Sequence, residues 1–151
     1  MKHAVCLSAI MNDVHERLYQ IDRRRRAAVI SALAARVGER DDVAFAYLHG
    51  SFVGEDAFHD IDVAVYFSGS LDVAGSKALD LANRLSMESG YPVDIRVLND
   101  APLSFQFRAV QGTLLVSRDD EQVADFVERT GMRYADVAPR LLQATRDAFA
   151  R

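Results

Sequence analysis

The chain has 151 residues, of which 26% are charged and 50% are hydrophobic, and its net charge is −4. This composition excludes extensive disorder and predicts one soluble domain over residues 1–151. The acidic balance, with a pI near 5.5 and a mean hydropathy of −0.05, argues against broad electrostatic binding of nucleic acid, which depends on many Lys and Arg contacts to phosphate.

The amino-terminal segment contains an apolar patch that polar residues soon interrupt, so it is typical of neither a secretory leader nor a membrane span. The single cysteine, Cys6, excludes an intrachain disulfide and a site built from several cysteines. We therefore expect a cytoplasmic protein.

A helix is predicted over residues 23–38, where apolar residues recur at helical spacing. They are Ala27, Ile30, Leu33, Ala34 and Val37. The basic run Arg23–Arg26 at its start could contact RNA or an acidic partner, but a solvated helix face is favoured. A strand follows over residues 43–48 and ends in a turn at His49-Gly50-Ser51.

Residues 60–67 predict a strand with two unlike faces. One face is apolar and consists of Ile61, Val63, Val65 and Phe67, whereas the other consists of Asp60, Asp62, Ala64 and Tyr66. A helix over residues 72–88 and a strand over residues 93–98 follow, and the second strand places Asp94 and Arg96 on one face.

The remaining chain predicts a short helix that begins near Pro102, a strand over residues 113–116 and a long helical region over residues 119–151. We expect Gly131 and Pro139 to break or kink that region. It could simply cover the sheet or offer a surface to another subunit, as a homo- or hetero-oligomer. The alternation of elements predicts an α/β (α+β) fold, a small mixed β-sheet covered by helices, with its core in residues 23–118.

Asp60 and Asp62 carry the most informative pattern, because two aspartates one residue apart on a strand place their carboxylates side by side. A divalent cation relieves the repulsion between them, and Mg²⁺ prefers carboxylate, water and phosphate oxygens. Asp94 lies on a later strand that could pair with the first, so three acids could hold two metal ions. A solvated strand end is the alternative interpretation of Asp60 and Asp62 alone.

Gly50 and Ser51 follow a strand at a turn where backbone N–H groups and a small hydroxyl can receive phosphate oxygens. An ordinary turn is the alternative interpretation of this pair alone. His49, Lys77 and Arg96 are further possible phosphate contacts, although His49 could be structural and Arg96 could only neutralise Asp94.

The stretch HGSFVGEDAFHDIDVAVYF and the later YPVDIRVLND resemble the minimal nucleotidyltransferases (MNT) of the DNA polymerase beta superfamily over about residues 43–118. The resemblance implies a nucleotidyltransferase fold in which Gly50 and Ser51 bind the triphosphate. Asp60, Asp62 and Asp94 would be the catalytic residues and would bind two Mg²⁺ ions. Many members carry arginine after the Gly-Ser turn, whereas this chain reads Phe-Val-Gly-Glu there.

The resemblance implies transfer of AMP from ATP to a hydroxyl of a partner protein, with a HEPN-type toxin as the first partner to test. The chain would then be the antitoxin of a HEPN/MNT toxin-antitoxin pair. The missing arginine motivates an alternative, an inactive antitoxin that neutralises its partner by occlusion. A third possibility is a small-molecule nucleotidyltransferase, for which the chain is short because such enzymes usually need a second domain to hold the acceptor.

Overall fold

A computed structural model of the chain describes residues 17–149. Residues 1–16 lie outside the described residues. They include Cys6 and the amino-terminal segment that we expect to be neither a secretory leader nor a membrane span. The strands β1 to β6 are Tyr19–Gln20, Val43–His49, Ala57–Phe58, Ile61–Phe67, Val93–Val97 and Thr113–Ser117. The helices α1 to α5 are Arg23–Gly38, Ser51–Gly54, Ala74–Ser89, Leu103–Ala109 and Asp120–Phe149, and a 3₁₀ turn at Leu71–Val73 precedes α3.

A mixed four-stranded sheet with the order β5-β4-β2-β6 forms the centre of the fold. β2 is antiparallel to both β4 and β6, whereas β4 and β5 are parallel and are connected through α3. The predicted α/β fold, a small mixed sheet covered by helices, is therefore confirmed.

The two faces of the sheet are covered by different helices. α1 and α3 pack on one face through the apolar side chains of β4 and form the larger core. On the other face, Phe45 and Ala64 pack with Phe105 of α4 and Phe126 of α5. This second face is covered only in part, because its polar end, which includes Asp62, lies beyond the apolar cluster. The fold thus leaves an open end of the sheet at which polar side chains can meet a ligand.

α1 agrees with its predicted bounds, and Asp22 caps it by accepting a hydrogen bond from the backbone N–H of Arg25 at 2.7 Å. Of the predicted apolar series, Leu33 and Val37 are buried and Ile30 and Ala34 are partly buried, whereas Ala27 is exposed and Val29 is buried instead. Arg23, Arg24 and Arg25 are exposed, as expected of a solvated face.

Arg26 is the exception in the basic run. It is partly buried, lies over the ring of Phe52 at 5.1 Å, and donates a hydrogen bond to the carbonyl of the same residue. The short ribbon of β1 and β3, which the sequence pattern did not predict, lies close by, where Phe58 contacts both Phe52 and Tyr19. Through these contacts with Phe52, Arg26 connects α1 to α2, the short helix that directly follows the Gly50 turn.

α5 is continuous over 30 residues, so Gly131 and Pro139 do not break it as expected, and a kink at either residue stays a prediction. A proline removes one backbone hydrogen bond, and the bonds on either side sustain this helix. Its first half is buried on the sheet through Val123, Phe126 and Thr130, whereas residues beyond 131 are mostly exposed. In the described part of the chain, the helices lack the combination of length and apolar character that crossing a membrane requires.

Candidate active site

Three polar residues form one row across the sheet. Asp62 of β4 pairs with His49 of β2 on one side and with Asp94 of β5 on the other. Residues that are directly opposite on neighbouring strands project from the same face, so the three side chains share the open end of the sheet. The pairing of β4 with β5 that the sequence only suggested is present, and it is parallel and in register for these two acids.

Asp60 immediately precedes β4, two residues before Asp62, and adds a second carboxylate beside it. Burial raises the pKa of Asp62 to about 6, and the charges of Asp60 and Asp94 add to this effect. Arg96 acts in the opposite direction. Asp62 is thus a partly buried carboxyl group between two other acids, and a positive charge placed there would stabilise its ionised form.

Gly50 brings the backbone against this carboxylate. Its φ of 76° and ψ of −166° lie in a region that residues with a Cβ rarely adopt. A Cβ on Gly50 would also overlap the Asp62 carboxylate, because it would lie 3.1 Å from the carboxyl carbon and closer still to one oxygen. Glycine is therefore required at this turn both by conformation and by space, and its absent side chain leaves Asp62 accessible.

Asp94 is engaged by Arg96, which donates a hydrogen bond from Nε to a carboxylate oxygen at 3.1 Å. Both side chains are substantially exposed. Within residues 17–149, no three His, Cys, Asp or Glu side chains converge closely enough to ligate a metal ion. The three predicted acids are therefore neighbours at one end of the sheet but do not form a closed ligand set in this arrangement, in which Asp94 is paired with Arg96.

A cleft of about 350 Å³ opens over this row of residues. The residues that line it are His49, Gly50, Asp62, Arg96, Phe105 and Arg108. A second hollow of about 230 Å³ shares His49, Gly50 and Arg108 with it and extends along α2 to Gly112. The combined space is in the range of small-ligand sites, and its charged lining of one acid and two guanidiniums is suited to a phosphorylated ligand.

His49 lies between the sheet and α4. Its ring meets Phe105 edge to face at 5.4 Å, and its Nε2 atom is buried without a hydrogen-bond partner among the described residues. Burial lowers the pKa of His49, and the positive charges of Arg96 and Arg108 lower it further. A neutral imidazole in this position can exchange a hydrogen bond with a ligand without adding a charge.

The predicted site residues Gly50, Asp60, Asp62 and Asp94 lie together at this end of the sheet, and Ser51 follows as the first residue of α2. Lys77 is different, because it pairs with Asp42 at 3.1 Å, and Asp42 precedes β2 at the end remote from His49.

Arg108 and Phe105 were not predicted as site residues. The sequence offered no distinct signal for them, since they lie on a short helix that contributes to the site only through its packing on β2.

The family model "Polymerase beta, Nucleotidyltransferase" matches residues 32–121 of the chain, which include the turn and all three aspartates. No curated protein sequence matches the chain.

Several solved structures resemble the fold. The toxin-antitoxin MntA-HepT matches with a TM-score of 0.59 and 22% identity, covering 86% of this chain and 100% of its counterpart. A complex of tri-AMPylated Shewanella oneidensis HEPN toxin with MNT antitoxin matches with a TM-score of 0.59 and 22% identity, covering 87% and 100%. A toxin-antitoxin structure with AMP-PNP matches with a TM-score of 0.59 and 21% identity, also covering 87% and 100%. At these identities the likeness shows the fold.

Proposed function

The chain belongs to the polymerase beta nucleotidyltransferase family, and from this we propose that it transfers AMP from ATP to a hydroxyl group of a partner protein, with Mg²⁺ as the cofactor. The observation that carries the proposal is the position of Asp62. This carboxyl group lies between Asp60 and Asp94, faces a cleft lined by two guanidiniums, and is approached by a backbone turn that has no side chain at Gly50.

The residues present fit Mg²⁺ by their chemistry. Asp60, Asp62 and Asp94 supply hard oxygen ligands, and the raised pKa of Asp62 reflects negative charge and burial that a divalent cation would offset. These three residues would hold up to two ions. To contribute, Asp94 would have to exchange its ion pair with Arg96 for contact with the metal. When bound, the metal would neutralise phosphate charge and favour ionisation of the acceptor hydroxyl.

In the proposed reaction, the acceptor oxygen forms a bond to the α-phosphorus of ATP, and the bond from that phosphorus to the bridging oxygen breaks. Pyrophosphate leaves with the electron pair, and Asp94 takes the proton of the acceptor hydroxyl because it is exposed at the rim of the site. Gly50 and Ser51 position the triphosphate. Catalysis would rest on positioning and on electrostatic stabilisation rather than on a covalent intermediate.

A HEPN-type toxin is the proposed acceptor, which would make this chain the antitoxin of the pair. The support comes from the solved complexes, because one contains a tri-AMPylated HEPN toxin with an MNT antitoxin and another contains AMP-PNP. Those descriptions concern proteins that are 21–22% identical to this chain. They suggest adenine as the base and a protein as the acceptor.

The exposed half of α5 is the proposed partner surface. Met132, Val137, Leu141 and Leu142 are apolar side chains between 37% and 62% exposed on this helix, beyond the part that packs on the sheet. Val137, Leu141 and Leu142 lie on one side of the helix by their spacing, whereas Met132 lies on the opposite side from Leu141. The first three side chains fit the apolar surface of a helical partner. This arrangement favours a hetero-oligomer, and it would also serve the alternative function in which the chain neutralises its partner by occlusion alone.

The test combines the chain, the HEPN-type protein encoded beside it and ATP labelled either at the α-phosphate or at the γ-phosphate, with and without Mg²⁺. We expect the partner to gain one AMP mass and the α-label, only with Mg²⁺, and the Asp60→Asn/Asp62→Asn double variant to abolish the transfer. Asp80→Asn removes an exposed carboxylate on α3 and should transfer normally.

Undiminished transfer by the double variant would refute the assignment of the two aspartates. Neutralisation of the partner by wild type in the absence of nucleotide, with no gain in mass, would instead establish occlusion. Appearance of the γ-label on the partner protein would exclude nucleotidyl transfer, because that reaction releases the γ-phosphate in pyrophosphate.

A further inference from the structure

Arg108 has a position that the proposed reaction has not yet used. It lies in the last turn of α4, its side chain is exposed, and it lines both the cleft over Asp62 and the second hollow along α2. His49 and Gly50 are the other residues that the two hollows share. Arg108 therefore lies at the junction of the two hollows.

The surrounding elements provide few alternative cations for a triphosphate. The segment from Gly50 to Glu55, which turns over the site, contains one acid and no basic residue. Arg96 also lines the cleft, but its guanidinium is bound to Asp94. Arg108 forms no ion pair with any residue in the described range 17–149. Within the described residues, Arg108 is thus the guanidinium of the cleft that has no carboxylate partner before a metal ion binds, whereas Arg96 loses its partner only if Asp94 moves to the metal ion.

The two hollows differ in the charge of their linings. The first contains the Asp62 carboxylate, where negative phosphate oxygens need a compensating metal ion, whereas the second is lined by uncharged residues apart from Arg108. Val53, Gly54, Gln111 and Gly112 form the rest of the second hollow. A chain of phosphates that runs away from Asp62 therefore enters a space whose one fixed positive charge is Arg108.

Resting on the proposed function, we propose that Arg108 binds the β- and γ-phosphates of the nucleotide and holds the pyrophosphate as it leaves. A guanidinium can donate two parallel hydrogen bonds to phosphate oxygens and stays charged at all relevant pH values. Negative charge accumulates on the β-phosphate as the bond to the α-phosphorus breaks, so this contact becomes stronger along the reaction. Arg108 acts as a substrate-binding residue that also stabilises the leaving group.

A purely structural role is the competing explanation, because a basic residue in the last turn of a helix interacts favourably with the helix dipole. The two roles differ in which ligand they affect. A residue that binds the β- and γ-phosphates changes the affinity for ATP and pyrophosphate but leaves the affinity for AMP unchanged, whereas a helix-stabilising residue changes the thermal midpoint and affects all three ligands together.

The test measures binding of ATP, AMP and inorganic pyrophosphate, each with Mg²⁺, to wild type, Arg108→Gln and Arg108→Lys by titration calorimetry. We expect Arg108→Gln to weaken ATP and pyrophosphate binding about 10- to 100-fold, to change AMP binding less than about twofold, and to leave Tm unchanged. Arg108→Lys should recover part of the loss, because it restores the charge but not the paired donors. Arg84→Gln, at an exposed arginine of α3, is the control.

Equal affinities of wild type and Arg108→Gln for ATP would overturn this inference while leaving the proposed function intact. Equal losses for ATP and AMP, or a lowered Tm, would also overturn it in favour of the structural role. Failure of wild type to bind ATP with Mg²⁺ would overturn the proposed function and this inference with it. That outcome is seen in wild type alone, whereas the outcomes against Arg108 are seen in the comparison of a variant with wild type.

Discussion

Replacing Asp62 by Asn should make the metal-free protein more stable at neutral pH. The folded-state pKa of Asp62, about 6, lies above the ordinary value of 3.8 because the group is partly buried and lies near Asp60 and Asp94. At pH below about 4 the group is protonated in both states and costs nothing. As the pH rises from about 4 to about 6, the unfolded chain ionises first, so stability falls, and above about 6 the full cost remains.

The size of the effect follows from the same shift. One pKa unit corresponds to about 1.4 kcal/mol, so the difference between 3.8 and about 6 sets an upper value of about 3 kcal/mol for Asp62. Solvent screening at this partly exposed site reduces the expected gain to about 1–2 kcal/mol, or about 3–6 °C in Tm.

Unfolding by urea and by heat, measured at pH 4, 6 and 7.5 with and without Mg²⁺, checks this reasoning. Asp62→Asn should exceed wild type at pH 7.5, match it near pH 4, and gain less than wild type from Mg²⁺. The control Asp80→Asn, at an exposed site on α3, should change little at any pH. An Asp62→Asn protein that is less stable than wild type at pH 7.5, or a gain that does not depend on pH, would refute the electrostatic explanation.

Three further predictions concern other parts of the chain. Asp42 pairs with Arg40 at 2.7 Å and with Lys77 at 3.1 Å, and the hydrogen bond from Arg40 is the main cause of its pKa of about 2. Because this folded-state pKa lies below the unfolded value, the stabilisation is complete above pH about 4 and is lost as the pH falls to about 2. Asp42→Asn should therefore lower the free energy of unfolding by about 1–2 kcal/mol at pH 7 and weaken its dependence on pH between about 4 and 2. Asp41→Asn is the control. Gly50→Ala should lower the free energy of unfolding by at least about 2 kcal/mol and weaken Mg²⁺-ATP binding. Gly69 also has a positive φ but has open space around it, so Gly69→Ala should cost less and leave binding unchanged. Equal effects of the two variants in calorimetry would contradict the close approach of Gly50 to Asp62. Pro139→Ala restores a hydrogen-bond donor inside α5 and should slow amide hydrogen exchange in residues 131–148. Because this half of the helix is mostly exposed, Tm should change by less than about 2 °C. Unchanged exchange would show that the proline does not weaken the helix.

Much of the fold could be predicted from the sequence because its periodicity is strong. The central strand that starts at Ile61 places its apolar residues at alternate positions, and α3 carries a clear apolar stripe. The three aspartates could be selected because acids are rare in otherwise apolar strands. Their placement in one neighbourhood depends on which strands pair, and only the structure gives that pairing.

The features that could not be predicted depend on contacts between distant segments. The ribbon of β1 and β3 has two residues in each strand, too few to produce a periodic pattern. The sequence allows Arg96 either to bind phosphate or to pair with Asp94, and the structure shows the pair. The position of Arg108 depends on how α4 packs against β2. The continuity of α5 through Pro139 also lay beyond the pattern, because a proline signals a break locally while the remaining bonds of a 30-residue helix sustain it.

The register between β4 and β5 connects the core to the chemistry. Ile61 and Val63 pair with Val93 and Ile95, and all four side chains point into the larger core, so a slip of one residue would turn Asp94 toward that core and expose the apolar set. Burial of these residues therefore fixes the alignment of Asp62 with Asp94 more strongly than any contact between the acids, which repel each other. The unfavourable charge density at the open end of the sheet persists because the buried apolar face of the same strands holds this alignment. Arg96 offsets part of that charge, and under the proposed function Mg²⁺ would offset more.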